Sequence, residues 1–157
     1  LFQFCTGEVF SYGISKYLNK TCYIIKMLSF LQKPTKRTNF EAIKHAICHP
    51  SDYYLINTLI ATDQDCLIKN TLSSDREEIA INELINNYDF YNKKIIVYGK
   101  NACDESAEKK ARQLIGLGFQ EVSVYSGGLF EWLLLQDIYG SAEFPTTKRV
   151  LDILKYR

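Results

Sequence analysis

Four consecutive apolar residues, Ile95, Ile96, Val97 and Tyr98, followed by Gly99 and a polar run, constrain this chain more than any other feature. A strand with one wet face alternates apolar and polar residues, whereas an unbroken apolar run suits a strand covered on both faces. The sequence IIVYGKNACDES therefore reads as a buried strand whose carboxyl end opens into a polar loop and then a helix. In open α/β sheets, loops in that position carry function.

The flanking segments alternate in kind. Thr38 is the expected N-cap of a helix in which Ala42, Ile43, Ala46 and Ile47 form one stripe, stopped by Pro50. YYLINTL, residues 53–59, reads as a short buried strand, and DCLIKNTL, residues 65–72, as a short strand or turn-rich connection. Ser74 and Glu77 match a capping box before a helix whose Ala80, Ile81, Leu84 and Ile85 face inward. Beyond the loop, residues 106–117 form an amphipathic helix with Ala107, Ala111, Leu114 and Ile115 on one side and Gly118 as its stop. EVSVYS is another strand, and GGLFEWLLLQDIYG a final helix. Short apolar strands alternating with helices through long connections predict an α/β fold, with a mostly parallel central sheet and helices on both faces.

A chain of 157 residues, 46% hydrophobic and 24% charged, has the size and composition of one globular domain. The basic, proline-containing KPTKR divides it into an N-terminal arm and linker (1–37), a domain (38–140) and a C-terminal tail (141–157). Lys+Arg 19 against Asp+Glu 18 gives a net charge of +1 and no electrostatic case for nucleic acid as a partner. No segment reaches the roughly 20 apolar residues of a membrane span. CYIIKMLSFL is broken by Lys26 and lacks a small-residue cleavage pattern, so no signal peptide is expected. Without one, the sequon Asn19-Lys20-Thr21 carries no weight. The chain starts at Leu1 and its one methionine is Met27, so residues 1–26 read either as part of a longer protein or as foreign to the domain.

Cys5, Cys22, Cys48, Cys66 and Cys103 are odd in number and widely spaced, without a CxxC pair. Reduced thiols in an intracellular, cytosol-like compartment are expected. His45 and His49 lie four apart on a predicted helix but lack a third ligand, so no metal site is expected, and no cofactor is implied.

Strand IIVYG, a polar loop, helix SAEKKARQLIGLGF, strand EVSVY and then SGGLFEW, in that order, resemble the rhodanese-like domain. The matching positions are Gly118 and Phe119, then Gly127, Gly128 and Trp132. Upstream, YYLINTL stands where that family has its leucine-isoleucine-aspartate-valine-arginine strand, and CLIKNTLS where it has glycine-histidine-isoleucine. The resemblance covers Phe40 to Tyr139 and implies a rhodanese-like three-layer sandwich. The closing stretch LLLQDIYGSAEFPTTKRVLDILKY is similar to that of rhodanese-like proteins encoded by large nucleocytoplasmic DNA viruses, which implies a viral source and a virion as one location.

In sulfurtransferases of that family the first loop residue is a cysteine, whose thiolate attacks a sulfur donor. Loop amides and a helix N-terminus then hold the charge of the persulfide. Here that residue is Gly99. Phosphatases of the family place cysteine at the same position and close the loop with an arginine, and KNACDES contains none. The resemblance thus implies an active-site-equivalent loop of Gly99, Lys100, Asn101, Ala102, Asp104, Glu105 and Ser106, with Cys103 the one candidate catalytic thiol. A helix N-terminus lowers a thiol's pKa, while Asp104 and Glu105 oppose this and are expected to cap the helix.

Other family landmarks differ too. Asn57 and Leu59 replace the aspartate and arginine, and Leu67 the histidine, while Cys66 reads as a small core residue. Tyr125, Phe130, Trp132 and Tyr139 read as core aromatics. The expectation is a non-catalytic rhodanese-like module that binds a protein partner through its arm and its FPTTKRVLDILKYR tail. The alternatives are an atypical sulfurtransferase or thiol-redox protein using Cys103, and a pocket beside Asp104 and Glu105 for a neutral or cationic small molecule.

Overall fold

Ile95, Ile96, Val97 and Tyr98 lie in one strand and are at most 2% exposed, as an unbroken apolar run requires. The computed structural model describes residues 34–157; the arm, with Cys5, Cys22, Met27 and the sequon, lies outside the described residues. The strands are β1 (Lys36–Thr38), β2 (Tyr53–Asn57), β3 (Lys94–Tyr98) and β4 (Val122–Tyr125). They form a sheet in the order β1-β4-β3-β2 with every pairing parallel. Asn57 pairs with Tyr98, Tyr98 with Tyr125 and Tyr125 with Thr38. The strands therefore end at one level, and the loops that follow share one edge.

Helices α1 (Phe40–Cys48), α2 (Ser74–Asn86), α3 (Ser106–Gly116) and α4 (Gly128–Tyr139) cover the sheet. Side chains alternate along β3. Ile96 and Tyr98 meet Ile43 and Ala46 of α1 and Leu129, Trp132 and Leu133 of α4. Ile95 and Val97 meet Ile81 and Leu84 of α2 and Ala107, Ala111 and Leu114 of α3. Each large apolar side chain so buried contributes about 1.5–3 kcal/mol relative to exposure. The result is the predicted α/β sandwich, with a buried layer on each face of the parallel sheet.

Gly118 stops α3 as expected, at φ +111°. Its N–H donates to Ile115 O (3.0 Å) and that of Phe119 to Leu114 O (3.2 Å), the paired bonds of a Schellman motif. Phe119 and Leu114 share a core cluster, which supplies the apolar contact that accompanies such a cap.

Several boundaries differ from the sequence reading. Part of KPTKR is an edge strand rather than a linker, because Lys36–Thr38 pairs with β4. Asn39, not Thr38, caps α1, its Oδ1 accepting from the Ala42 amide at 3.4 Å. Ser73 precedes α2, and the Glu77 carboxylate goes to Lys110 at 2.5 Å, so the capping box does not form. Residues 65–72 are a turn-rich connection, touching the sheet through the isolated bridge between Leu55 and Thr71.

The division at residue 140 has no structural counterpart. Thr35–Arg157 is one unit in which Phe144 and Tyr156 are 4% and 1% exposed. They complete the core beneath α4, with the Phe144 ring 4.9 Å from that of Trp132. No helix among the described residues is long and apolar enough to cross a membrane.

Candidate functional site

Residues 99–106 join the end of β3 to the start of α3. Tyr98 anchors the loop from below: its hydroxyl accepts from the Ile68 amide (3.2 Å) and shares a hydrogen bond with Thr71 Oγ1 (2.8 Å). Burial raises the Tyr98 pKa, so this phenol keeps its proton. The start of α4 holds the loop from a second direction. Leu129 N–H donates to Gly99 O (3.0 Å) and Phe130 N–H to Lys100 O (2.9 Å). That approach depends on Gly128, which sits at φ +64°, and where a β-carbon would stand 2.8 Å from Asn101 N and from the Lys100 carbonyl carbon.

Asp104 occupies the mouth of the loop. Its Oδ2 accepts from the Lys100 amide (2.9 Å) and its Oδ1 from the Ser106 amide (2.9 Å). A β-carbon on Gly99 would lie 2.6 Å from Asp104 Oδ2 and 3.0 Å from its Cγ. The carboxylate thus fills the space a side chain at position 99 would need. Burial acts to raise the Asp104 pKa. Hydrogen bonds from Lys100 N–H and from Ser106, with the Lys100 charge, outweigh burial and hold the group below the ordinary carboxylate range.

Cys103 is exposed, and its amide donates to Asn101 Oδ1 at 2.9 Å. It borders a recess of about 280 Å³ with Arg37, Gly99, Glu108 and Arg112, and another of about 430 Å³ with Thr58, Asp63, Lys100 and Ser106. The basic rim of the smaller recess is already paired, since Glu108 binds Arg37 (2.5 Å) and Arg112 (3.0 Å). Glu105 does not cap α3; it points to Lys109 at 3.8 Å. Of the two expected acidic caps only Asp104 serves, because it alone precedes the Ser106 amide by two residues.

The structure thus gathers Gly99, Lys100, Asn101, Ala102, Cys103, Asp104, Glu105 and Ser106 on one loop, as their order required. Asn57 Oδ1 accepts from the Leu59 amide (3.2 Å). The Cys66 thiol donates to Lys148 O (2.9 Å), and burial raises its pKa, in keeping with a core residue. Trp132 and Tyr125 are buried as expected, whereas Tyr139 is exposed at the end of α4. The His45 and His49 rings stack at 4.1 Å, and among the described residues no three side chains are grouped to hold a metal.

Residues that the sequence reading did not assign to the loop also reach it. Asp63, 7% exposed, lies 3.3 Å from Lys100 Nζ and 3.5 Å from Lys155 Nζ. Asn101 Nδ2 donates to Tyr156 O at 3.4 Å. Asp63 carried one weak signal, as an acid in the polar stretch between two apolar segments. Lys155 and Tyr156 lie in the FPTTKRVLDILKYR tail expected to bind a partner, and nothing local marked them as contacts of the loop.

Among the described residues, a parallel four-stranded sheet between helix layers, with a polar loop leaving its third strand, defines an α/β domain whose candidate site lies at the carboxyl edge of the sheet. The rhodanese-like domain family matches residues 39–135, more than half of the chain, and the chain belongs to that family. Among similar solved structures is the BH2092 protein from Bacillus halodurans, 19% identical, covering 78% of this chain and 83% of that one at a TM-score of 0.51. The Saccharomyces cerevisiae single domain sulfurtransferase RDL2 is 18% identical, with coverages of 69% and 96% and a TM-score of 0.50. Ygr203w, a yeast protein tyrosine phosphatase of the Rhodanese family, is 14% identical, with coverages of 80% and 99% and a TM-score of 0.52. At these identities the likeness is one of fold. No curated protein matches the chain.

Proposed function

We propose that this rhodanese-like domain is a non-catalytic binding or structural module that serves a protein partner within a larger cellular or viral assembly. One observation carries the reading: Gly99 heads the loop without a nucleophile, and the Asp104 carboxylate lies over it on the Lys100 amide. Sulfur transfer at that position needs a thiolate facing free amides. A fixed carboxylate in their place takes up the donors and repels thiosulfate or phosphate. The free thiols of Cys48, Cys66 and Cys103 suit a reducing intracellular compartment. Incubation with thiosulfate and cyanide tests the proposal. Thiocyanate should form no faster than in buffer, and turnover lost on Cys103→Ser would overturn it.

A second reading, an atypical sulfurtransferase or thiol-redox protein, is favoured by the exposure of Cys103 beside both recesses and by membership of the family. In that reaction the Cys103 thiolate would attack the outer sulfur of thiosulfate, and the breaking S–S bond would leave its electron pair on sulfite. Cyanide would then take the outer sulfur and return the thiolate. The family relationship supports this second reading, and the Asp104 geometry supports the first.

A further inference from the structure

The last turn of the chain is tied to the loop by two routes. The Tyr156 ring is buried in the core, and its hydroxyl donates to Asp63 O at 3.3 Å. Its carbonyl accepts from Asn101 Nδ2 (3.4 Å), and the same Asn101 side chain accepts the Cys103 amide through Oδ1 (2.9 Å). A single amide group thus links Tyr156 to the backbone of Cys103. The other route runs through charge. Lys155 Nζ donates to Thr62 O (3.1 Å) and lies 3.5 Å from Asp63 and 3.7 Å from Asp65, while Asp63 pairs with Lys100. Neighbouring Leu151 and Leu154 are exposed, so few side chains hold this segment down: Tyr156, Lys155 and the partly buried Val150 and Ile153.

We propose that residues 151–157 act as a strap that sets the loop through Asn101 and the Asp63–Lys100 pair, so that releasing Tyr156 frees the loop around Cys103 while the sheet stays intact. The fold makes this separable, because a few side chains hold residues 151–157 to the domain while β3 is held by β2 and β4 on either side. The strap is independent of whether Cys103 performs chemistry. A strap of this kind makes the hydrogen bonding of the Cys103 amide responsive to whatever engages residues 151–157.

Amide hydrogen exchange resolved by NMR compares the Cys103 N–H, which donates to Asn101 Oδ1, with the Ile96 N–H inside β3 of the same molecule. Tyr156→Ala, which removes the buried ring that anchors the segment, should raise the Cys103:Ile96 exchange-rate ratio by about three- to tenfold, the shift in a local opening equilibrium expected when the segment's hydrogen bond with Asn101 is lost. Tyr156→Phe, which keeps the ring and loses only the hydroxyl bond to Asp63 O, should raise it less than Tyr156→Ala does. An unchanged ratio in folded Tyr156→Ala, or an equal rise at both amides, would overturn the proposal. Should Tyr156→Ala fail to fold, Asn101→Ala gives the reciprocal reading without touching the core. Backbone hydrogen exchange across residues 150–157 should quicken by a similar factor, and exchange at the wild-type rate would overturn the strap.

Discussion

The Asp104 carboxylate stands where a side chain on Gly99 would have to go, with Oδ2 2.6 Å from the β-carbon position and 2.9 Å from the Lys100 amide. Gly99→Ala must therefore displace the carboxylate from that amide, at a cost of about 1–3 kcal/mol. In an Asp104→Ala background the same change should cost less, by about 0.5 kcal/mol or more. Urea unfolding of the four proteins measures the difference. Equal costs in the two backgrounds would show that the residues do not compete for space.

The same carboxylate gives the loop a pH dependence with a defined sign. Its folded pKa lies below the ordinary value because hydrogen bonds from Lys100 and Ser106 outweigh burial. Such a group contributes stability above its unfolded pKa of about 3.9 and loses it as pH falls through the folded value. The stability advantage of wild type over Asp104→Asn should accordingly shrink as pH is lowered from about 6 to about 3. Parallel urea titrations across that range check it, and a constant difference would contradict the assignment.

Tyr98 connects β3 to the turn after Ile68, so Tyr98→Phe should cost about 1–3 kcal/mol by leaving the buried Ile68 amide without an acceptor. The loss should appear in the unfolding midpoint without a change of slope.

Gly128 and Gly116 offer a paired comparison. A methyl on Gly128 meets Lys100 and Asn101 backbone at 2.8 Å in a left-handed conformation, so Gly128→Ala should cost at least about 1–3 kcal/mol. Gly116 ends α3 with no atom within 4 Å of its would-be β-carbon, and Gly116→Ala should be neutral or stabilise by up to about 1 kcal/mol. Thermal unfolding of the two variants should move in different directions or by clearly different amounts.

What the sequence made legible was local. The apolar run at Ile95 to Tyr98 announced a strand buried on both faces, and Gly118 a helix stop, because each works through its immediate neighbours. Strand β1 was hidden, since Lys36 and Arg37 are exposed and the segment becomes a strand only by pairing with β4. The closing segment misled for a similar reason. Its anchors are Cys66 to Lys148 and Tyr156 to Asp63, contacts 82 and 93 residues apart that no periodicity reports. At the site, the glycine at position 99, where the family resemblance places a cysteine, was legible in the sequence. The carboxylate lying over Gly99 was not, because the turn that brings Asp104 back to Lys100 exists only in three dimensions.

The most direct test of a loop without sulfur chemistry is whether any sulfur comes to rest on the protein. Incubation of the full chain with thiosulfate, followed by peptide mass spectrometry under non-reducing conditions, reads this at each cysteine. The account predicts that Cys103 remains a plain thiol; a stoichiometric single-sulfur adduct on Cys103, removed by cyanide, would contradict it.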